Sequence, residues 1–113
     1  MRSILAIVFS MLILSCSKSW KEEPYEVIWI DGNDSLAYSV GNGAYIGRVD
    51  FPERIASNDS FISVYACEEE TCTYYYIDKL NDHKYADHDE FVYGPFFKYE
   101  FVSLKGKLGL PDV

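Results

Sequence analysis

Two cysteines stand five positions apart, in a stretch that favours two β-strands. Cys67 ends the apolar segment 61–67 and Cys72 begins the segment 72–78. Both segments are rich in β-branched and aromatic residues, which is typical of a hairpin. Facing residues at a non-hydrogen-bonded position of an antiparallel pair have Cα atoms about 4.5 Å apart, which suits a disulfide. A structural disulfide is therefore the favoured use of the pair, with a redox couple and half of a metal site as the alternatives.

The turn of this hairpin carries three successive carboxylates. Glu68, Glu69 and Glu70 place three negative charges on a short projection that could dock a basic partner. The plainer interpretation is a solvated turn whose charges keep strand edges from aggregating. Tyr75 follows in the next strand, where alternation turns it to the opposite face from its two tyrosine neighbours. Because tyrosine brings a large contact area with a polar tip, Tyr75 joins the glutamates as a candidate partner-binding residue, with cross-strand aromatic packing as the alternative.

Both histidines of the chain lie in one acidic segment, residues 82–90. His83 and His88 stand there among four acidic residues. Two imidazoles and a carboxylate could bind a divalent metal, and an envelope hydrolase could use the same groups. The five-residue spacing is not that of a helical pair and no second cluster completes a site, so we assign no metal ligands. The plainer interpretation is a mobile acidic loop whose carboxylates favour protonated histidine.

No other motif supplies a catalytic or cofactor site. Residues 31–35 have the composition of the start of a calcium loop, but Leu36 stands where that loop needs glycine and Asn42 where it needs a bidentate glutamate. Gly41 and Gly43 fit a hairpin turn, since a dinucleotide fingerprint requires a third glycine. No nucleophile has a catalytic signature around it. We therefore predict that the protein is not an enzyme and uses no cofactor or metal.

The net charge of the chain indicates which kinds of partner it can bind. The 113 residues include 18 acidic and 10 basic ones, for a formal net charge of −8. Neutralising phosphates needs a clustered Lys/Arg surface, which this composition does not supply, so we exclude nucleic acid as a partner. With 49% hydrophobic and 17% aromatic residues, the chain is too apolar for a disordered protein. The charge indicates a basic protein partner, whose approach an acidic surface accelerates.

The first fifteen residues have the composition of a secretory signal. Arg2 is their only charge, and the apolar stretch of about eleven residues that follows is shorter than the roughly 20 that cross a bilayer. The stretch ends Ile13-Leu14-Ser15-Cys16, which resembles the lipobox of bacterial lipoproteins. That resemblance implies cleavage before Cys16, acylation of its sulfur and, since no aspartate follows it, an outer-membrane anchor facing the periplasm. An ordinary signal peptide with an incidental cysteine is the alternative.

The rest of the chain divides into a tether and one domain. Removal of residues 1–15 takes Arg2 away and leaves nine basic residues against 18 acidic ones. Residues 16–24 are mostly polar and form the predicted tether. From residue 25 to residue 113, β-rich segments alternate with turn clusters, which is the pattern of an antiparallel sheet. Residues 50–55 contain Pro52 and are an edge strand or an irregular stretch.

A helix is predicted near the end of the chain. Between Pro95 and Gly109, apolar residues recur at helical spacing, namely Phe97, Phe101, Leu104 and Leu108. The expected fold is therefore α+β and mainly β. It consists of one small antiparallel meander sheet of about five to six strands, with the C-terminal helix packed on it.

The order of short motifs after the signal is similar to that of a group of small uncharacterised bacterial proteins. The motifs are Asp31-Gly32, Ser35-Leu36, Tyr38, Gly41 to Gly43, Tyr45 to Val49, Tyr75 to Asp78, Gly94-Pro95 and Leu108 to Pro111. The resemblance spans most of the chain after the signal and implies a shared fold. It carries no activity.

Together these features predict a lipid-anchored periplasmic binding protein that acts by protein–protein interaction. One version is an immunity protein against a toxin that acts in the periplasm, since an acidic surface complements a basic enzyme. Another is a phage or mobile-element lipoprotein that blocks an outer-membrane receptor. An envelope hydrolase that works through the acidic histidine-containing loop, residues 82–90, is the alternative of another class.

Overall fold

The computed structural model describes residues 19–113. Within them the chain forms, in order, β1 (Lys21–Glu22), β2 (Tyr25–Ile30), β3 (Asn33–Gly41), β4 (Ala44–Asp50), β5 (Pro52–Ser57), β6 (Phe61–Glu68), β7 (Thr71–Asp78), β8 (Val92–Phe96) and α1 (Lys98–Leu108). The predicted signal and the lipobox with Cys16 lie outside the described residues. Among residues 19–113, no helix has the length and apolar character needed to cross a bilayer.

The strands form two antiparallel meanders of four strands each. The first sheet has the order β1-β2-β3-β4 and the second β5-β6-β7-β8. The prediction of a mainly β protein with one C-terminal helix is confirmed, but the prediction of a single sheet of five to six strands is wrong. The physical reason is burial, because one short helix covers only one face of a sheet. Each sheet here buries one face against the other sheet.

The chain crosses from the first sheet to the second at Phe51, which has a φ of 58°. The Phe51 N–H donates to the carbonyl oxygen of Asp34 in β3 at 2.9 Å, and the Phe51 carbonyl accepts from the Cys67 N–H in β6 at 3.0 Å. One residue is therefore hydrogen-bonded to both sheets. Pro52 then begins β5, an edge strand of the second sheet, so the edge interpretation is confirmed for residues 52–55, whereas Asp50 ends β4 in the first sheet.

The main core lies between the two sheets. Its most deeply buried side chains are Leu36 in β3, Ile62 in β6 and Ile77 in β7, each with 0% of its surface exposed. Its other members are Tyr25, Val27, Val49, Ile55, Val64 and Ala66. Apolar residues of both sheets thus cover one another, as in a β-sandwich.

Helix α1 packs on the outer face of the second sheet. Phe101 is 3% exposed and stacks on Tyr74 of β7, with ring centroids 4.9 Å apart. Leu104 is partly buried in the same helix-side cluster, which is built on Tyr74, Phe101 and Leu110. The predicted apolar stripe is only half right, because Phe97 is 62% exposed and Leu108 is 41% exposed. The buried contact is therefore shorter than the spacing indicated.

The start of α1 explains the exposure of Phe97. The helix begins at Lys98, three residues after Pro95, which belongs to β8. Phe97 is the N-cap residue, and its N–H donates to Glu100 Oε1 at 2.8 Å, so its side chain lies outside the helical register. Gly109 ends the helix at a φ of 78°, as predicted.

Part of the predicted tether lies within the fold. Lys21 in β1 pairs with Glu26 in β2, and the Val27 N–H donates to the Trp20 carbonyl oxygen at 3.0 Å. Trp20 itself packs against the main core. The first sheet therefore takes up residues that precede the predicted domain boundary at residue 25.

Candidate functional site

A cavity of about 550 Å³ opens between the end of β4 and the β6–β7 hairpin. Three of its lining residues are acidic, Asp50, Glu68 and Glu69, and three carry hydroxyl groups, Thr71, Thr73 and Tyr75. The rest of the lining consists of Phe51, Ala66, Pro95 and Arg48. We call this site the acidic cavity. Its lining is more polar than that of most small-molecule pockets, so it suits a charged ligand better than an apolar one.

The acidic cavity exists because β4 and β6 diverge at the crossing residue. Pro52 pairs with Ala66, and Phe51 is hydrogen-bonded to Cys67, so the chain still follows β6 up to that point. One residue earlier, Asp50 pairs instead with Ser35 in β3. Asp50 therefore belongs to the first sheet while Glu68 belongs to the second. The space between the two strands forms part of the cavity.

The electrostatic character of the cavity is negative. Asp50, Glu68 and Glu69 are all exposed to solvent. Among the described lining residues the only basic one is Arg48, whose side chain has 0% of its surface exposed and pairs with Asp82. A basic group that entered the cavity would meet three carboxylates and no exposed lining cation. Coulomb attraction would therefore favour it.

The cavity brings together most of the residues that the sequence singled out for partner binding. Glu68, Glu69 and Tyr75 all line it, whereas Glu70 is exposed at the same turn but outside the lining. Sequence reasoning missed Asp50, because its proximity to the glutamates depends on the crossing between the sheets. No local pattern around Asp50 reveals that crossing.

The predicted disulfide is present in the hairpin that forms one wall. Cys67 and Cys72 are bonded, with their Cα atoms 4.0 Å apart, and they occupy facing positions of β6 and β7. The next facing pair is Glu68 and Thr71. Strand alternation places that pair on the opposite face from the two sulfur atoms. The disulfide therefore crosslinks the hairpin tip on the face away from the cavity. Glu68 and Thr71 lie on the face that lines the cavity.

Tyr75 is held in the wall by a close approach of β8. The alternation predicted for the three tyrosines is confirmed, since Tyr75 packs against the main core while Tyr74 and Tyr76 belong to the helix-side cluster. Opposite Tyr75, β8 bulges, with Gly94 and Pro95 facing one residue. A Cβ atom on Gly94 would lie 2.7 Å from Tyr75 Cδ2 and 2.7 Å from the Tyr74 carbonyl oxygen. Only glycine allows this approach.

Arg48 connects the cavity to the acidic loop. Its Nε donates to Asp82 Oδ2 at 2.9 Å and its Nη2 to Oδ1 at 3.0 Å, while Nη1 is buried without a hydrogen-bond partner among residues 19–113. The Tyr25 hydroxyl donates to Asp82 Oδ2 at 2.8 Å. Burial, and then this hydrogen bond, raise the pKa of Tyr25. The acidic loop is thus anchored to the first sheet at Asp82.

The two histidines contact different residues. The His83 ring packs near Tyr85 and Phe91, with centroid distances of 6.5 and 5.8 Å, and exposed His88 lies 3.7 Å from Asp89. Within residues 19–113, no three His, Cys, Asp or Glu side chains are grouped so as to hold a metal ion. Asp82 uses both of its oxygens in four hydrogen bonds. The Asp82 carboxylate is therefore used in hydrogen bonds that hold the loop in place.

We take the acidic cavity as the candidate site, because Asp82 is fully hydrogen-bonded and residues 79–91 group no three metal-ligating side chains. The cavity combines three exposed carboxylates, three hydroxyl-bearing residues and a hairpin that is crosslinked by a disulfide. Comparisons with known protein families, with curated proteins and with solved structures found no match.

Proposed function

We propose that this protein is a non-enzymatic binding protein of the bacterial cell envelope whose acidic cavity receives a basic segment of a protein partner. In this proposal a lipid on Cys16 holds the protein at the outer membrane, facing the periplasm. The observation that carries the proposal is that Asp50 of the first sheet lines one cavity together with Glu68 and Glu69 of the hairpin in the second sheet. Three like charges at one concave site favour a cationic ligand.

The lining also suits the shape of a lysine or arginine side chain. Phe51, Ala66 and Pro95 provide apolar surface beside the carboxylates. Long basic side chains bury their aliphatic stems against apolar surface and leave the charged group near water or a counter-ion. A basic side chain would therefore find partners for both of its parts in the cavity.

An immunity protein is the specific version of this function that we propose. A toxin that acts in the periplasm and carries a basic surface would be attracted to the cavity, and the attraction would speed the encounter. A lipid anchor would keep the inhibitor in the compartment where such a toxin arrives. Two or three acyl chains suffice to hold a small domain at a membrane.

The test is a capture experiment with matched charge variants. The full chain, with a C-terminal affinity tag, is expressed in a Gram-negative host, and partners are captured from solubilised envelopes at low and moderate salt. The wild type is compared with the double variant E68Q/E69Q and with E70Q/D59N, which removes two exposed charges outside the cavity. We expect a basic protein whose recovery falls about fivefold or more in E68Q/E69Q only. That protein is then titrated in pure form.

Two results would contradict the proposal. The first is a capture in which no protein depends on Glu68 and Glu69. The second is an equal loss in both double variants, which would indicate a general effect of net charge.

A further inference from the structure

The four edge strands of the two sheets differ in how well they are protected against the addition of another strand. Among the strands that the structure describes, the edges are β1, β4, β5 and β8. β1 has two residues, β5 begins with Pro52 and β8 contains Pro95. Short strands and prolines hinder the addition of another strand. β4 has seven residues and no proline, so it is the edge best able to accept one.

The hydrogen bonds of β4 show which of its main-chain groups are turned outward. Asp50 pairs with Ser35, and the neighbouring Phe51 N–H donates to the Asp34 carbonyl oxygen at 2.9 Å. In an antiparallel ladder this pattern defines Asp50 and Ser35 as a non-hydrogen-bonded pair. The N–H and C=O groups of Asp50 therefore point away from β3, toward the open edge.

Arg48 lies two residues before Asp50, and its main chain is exposed at the same wall of the cavity. Its side chain has 0% of its surface exposed, whereas the whole residue is 6% exposed. The accessible part of Arg48 is therefore its main chain. Since Arg48 and Asp50 both line the acidic cavity, the open edge of β4 forms part of the cavity wall.

We propose that the partner enters this site as an extended segment that adds to the open edge of β4 as a fifth strand of the first sheet. This inference rests on the proposed function and specifies its binding mode. Lysine or arginine side chains at alternate positions of the added segment lie against Glu68 and Glu69 across the cavity. In strand addition the main-chain hydrogen bonds supply affinity, and alternate side chains supply specificity.

The added strand is short. The register of β3 and β4 shifts between Leu36 and Ala37, which leaves Arg48 as an extra residue in β4. Such a bulge bends the strand and interrupts regular pairing. Pairing is therefore confined to the stretch from Arg48 to Asp50, and the basic side chains contribute the rest of the affinity.

The test uses a defined probe and the intact protein. The probe is an acetylated and amidated peptide, Lys-Val-Lys-Val-Lys, titrated into the purified full chain at low salt. Two further versions carry N-methyl groups, one on the lysine amides and one on the valine amides. Methylation removes main-chain donors without changing charge, and a β-strand uses only one set of alternate amides toward a given neighbour.

We expect one methylated peptide to bind about tenfold more weakly, which is the loss of two ordinary hydrogen bonds, and the other to bind like the parent. The Asp50 amide resonance should shift on binding and become protected from hydrogen exchange. If both methylated peptides bind like the parent, or both weaken equally, strand addition is wrong. An E68Q/E69Q protein that then still loses affinity for the parent peptide leaves the proposed function standing.

Failure of the parent peptide to bind saturably also overturns strand addition. The capture experiment above then decides the proposed function independently, because it does not depend on the conformation of the bound segment.

Discussion

Arg48 in β4 and Asp82 in the loop after β7 form a buried ion pair with two hydrogen bonds. The distances are 2.9 Å from Nε to Oδ2 and 3.0 Å from Nη2 to Oδ1, and neither side chain has any exposed surface. The Arg48 guanidinium also lies 4.9 Å from the centroid of the Tyr38 ring. Because Arg48 lines the acidic cavity, one residue ties the cavity wall to the loop of residues 79–91.

Removing the negative charge of Asp82 should strongly destabilise the fold. In the D82N variant the Arg48 charge stays buried without a counter-charge, so we expect the free energy of unfolding to fall by about 3–5 kcal/mol. Urea denaturation at neutral pH measures it. The control is D112N, which removes the exposed partner of Lys105 and should leave the midpoint unchanged. Equal midpoints for the two variants would show that the buried pair contributes nothing.

The stability of the protein should decrease at alkaline pH in a way that depends on Tyr25. Burial, and then the hydrogen bond to Asp82, raise the pKa of Tyr25 above its ordinary value of 10.0. The unfolded chain therefore releases this proton near pH 10 while the folded chain retains it. The stabilisation is complete below that pH and decreases above it, by at most about 1.4 kcal/mol per pH unit. Denaturation between about pH 8 and about pH 11 should give a shallower slope for Y25F than for the wild type; identical slopes would contradict the prediction.

Two glycines should respond to alanine in opposite directions. Gly94 has a φ of 136°, and a Cβ atom there would lie 2.7 Å from the Tyr74 carbonyl oxygen, so G94A should cost about 2 kcal/mol of stability. Gly106 lies within α1 and has open space around it, so G106A should stabilise by up to about 1 kcal/mol. Thermal denaturation compares them. A neutral G94A would show that β8 moves away from Tyr75 at no cost.

The disulfide should act mainly on the hairpin tip. Because the loop closed by Cys67 and Cys72 is short, the double variant C67A/C72A should lose only about 2 kcal/mol of stability. Amide exchange at Glu69 and Thr71 should accelerate, while exchange at Leu36 in the first sheet should follow the global change alone. Free thiols in the unreduced protein, found by mass spectrometry, would contradict the presence of the bond.

Lipid attachment should depend on one cysteine. When the full chain is produced in bacteria supplied with labelled palmitate, the wild type and the C67A variant should carry label and C16S should carry none. Gel autoradiography makes the comparison. Label retained by C16S would contradict acylation at Cys16.

Several local features of the chain can be predicted from its sequence alone. The Cys67–Cys72 hairpin, the alternation of the three tyrosines and the edge position of Pro52 follow from strand periodicity and turn chemistry, which act over a few residues. The end of α1 at Gly109 follows for the same reason. Apolar spacing predicts a longer buried stripe for α1 than the structure has, because spacing alone does not show that Phe97 precedes the first helical residue.

The sequence by itself determined a mainly β chain with an acidic, disulfide-braced hairpin, since strand alternation and side-chain charge are properties of neighbouring residues. Only the tertiary structure decided that there are two sheets, that Asp82 is buried against Arg48, and that Asp50 meets Glu68 and Glu69 at one cavity. The physical reason is that these contacts join residues far apart in the chain. They depend on the crossing at Phe51, where covering the apolar face of each sheet turns the chain from one sheet to the other.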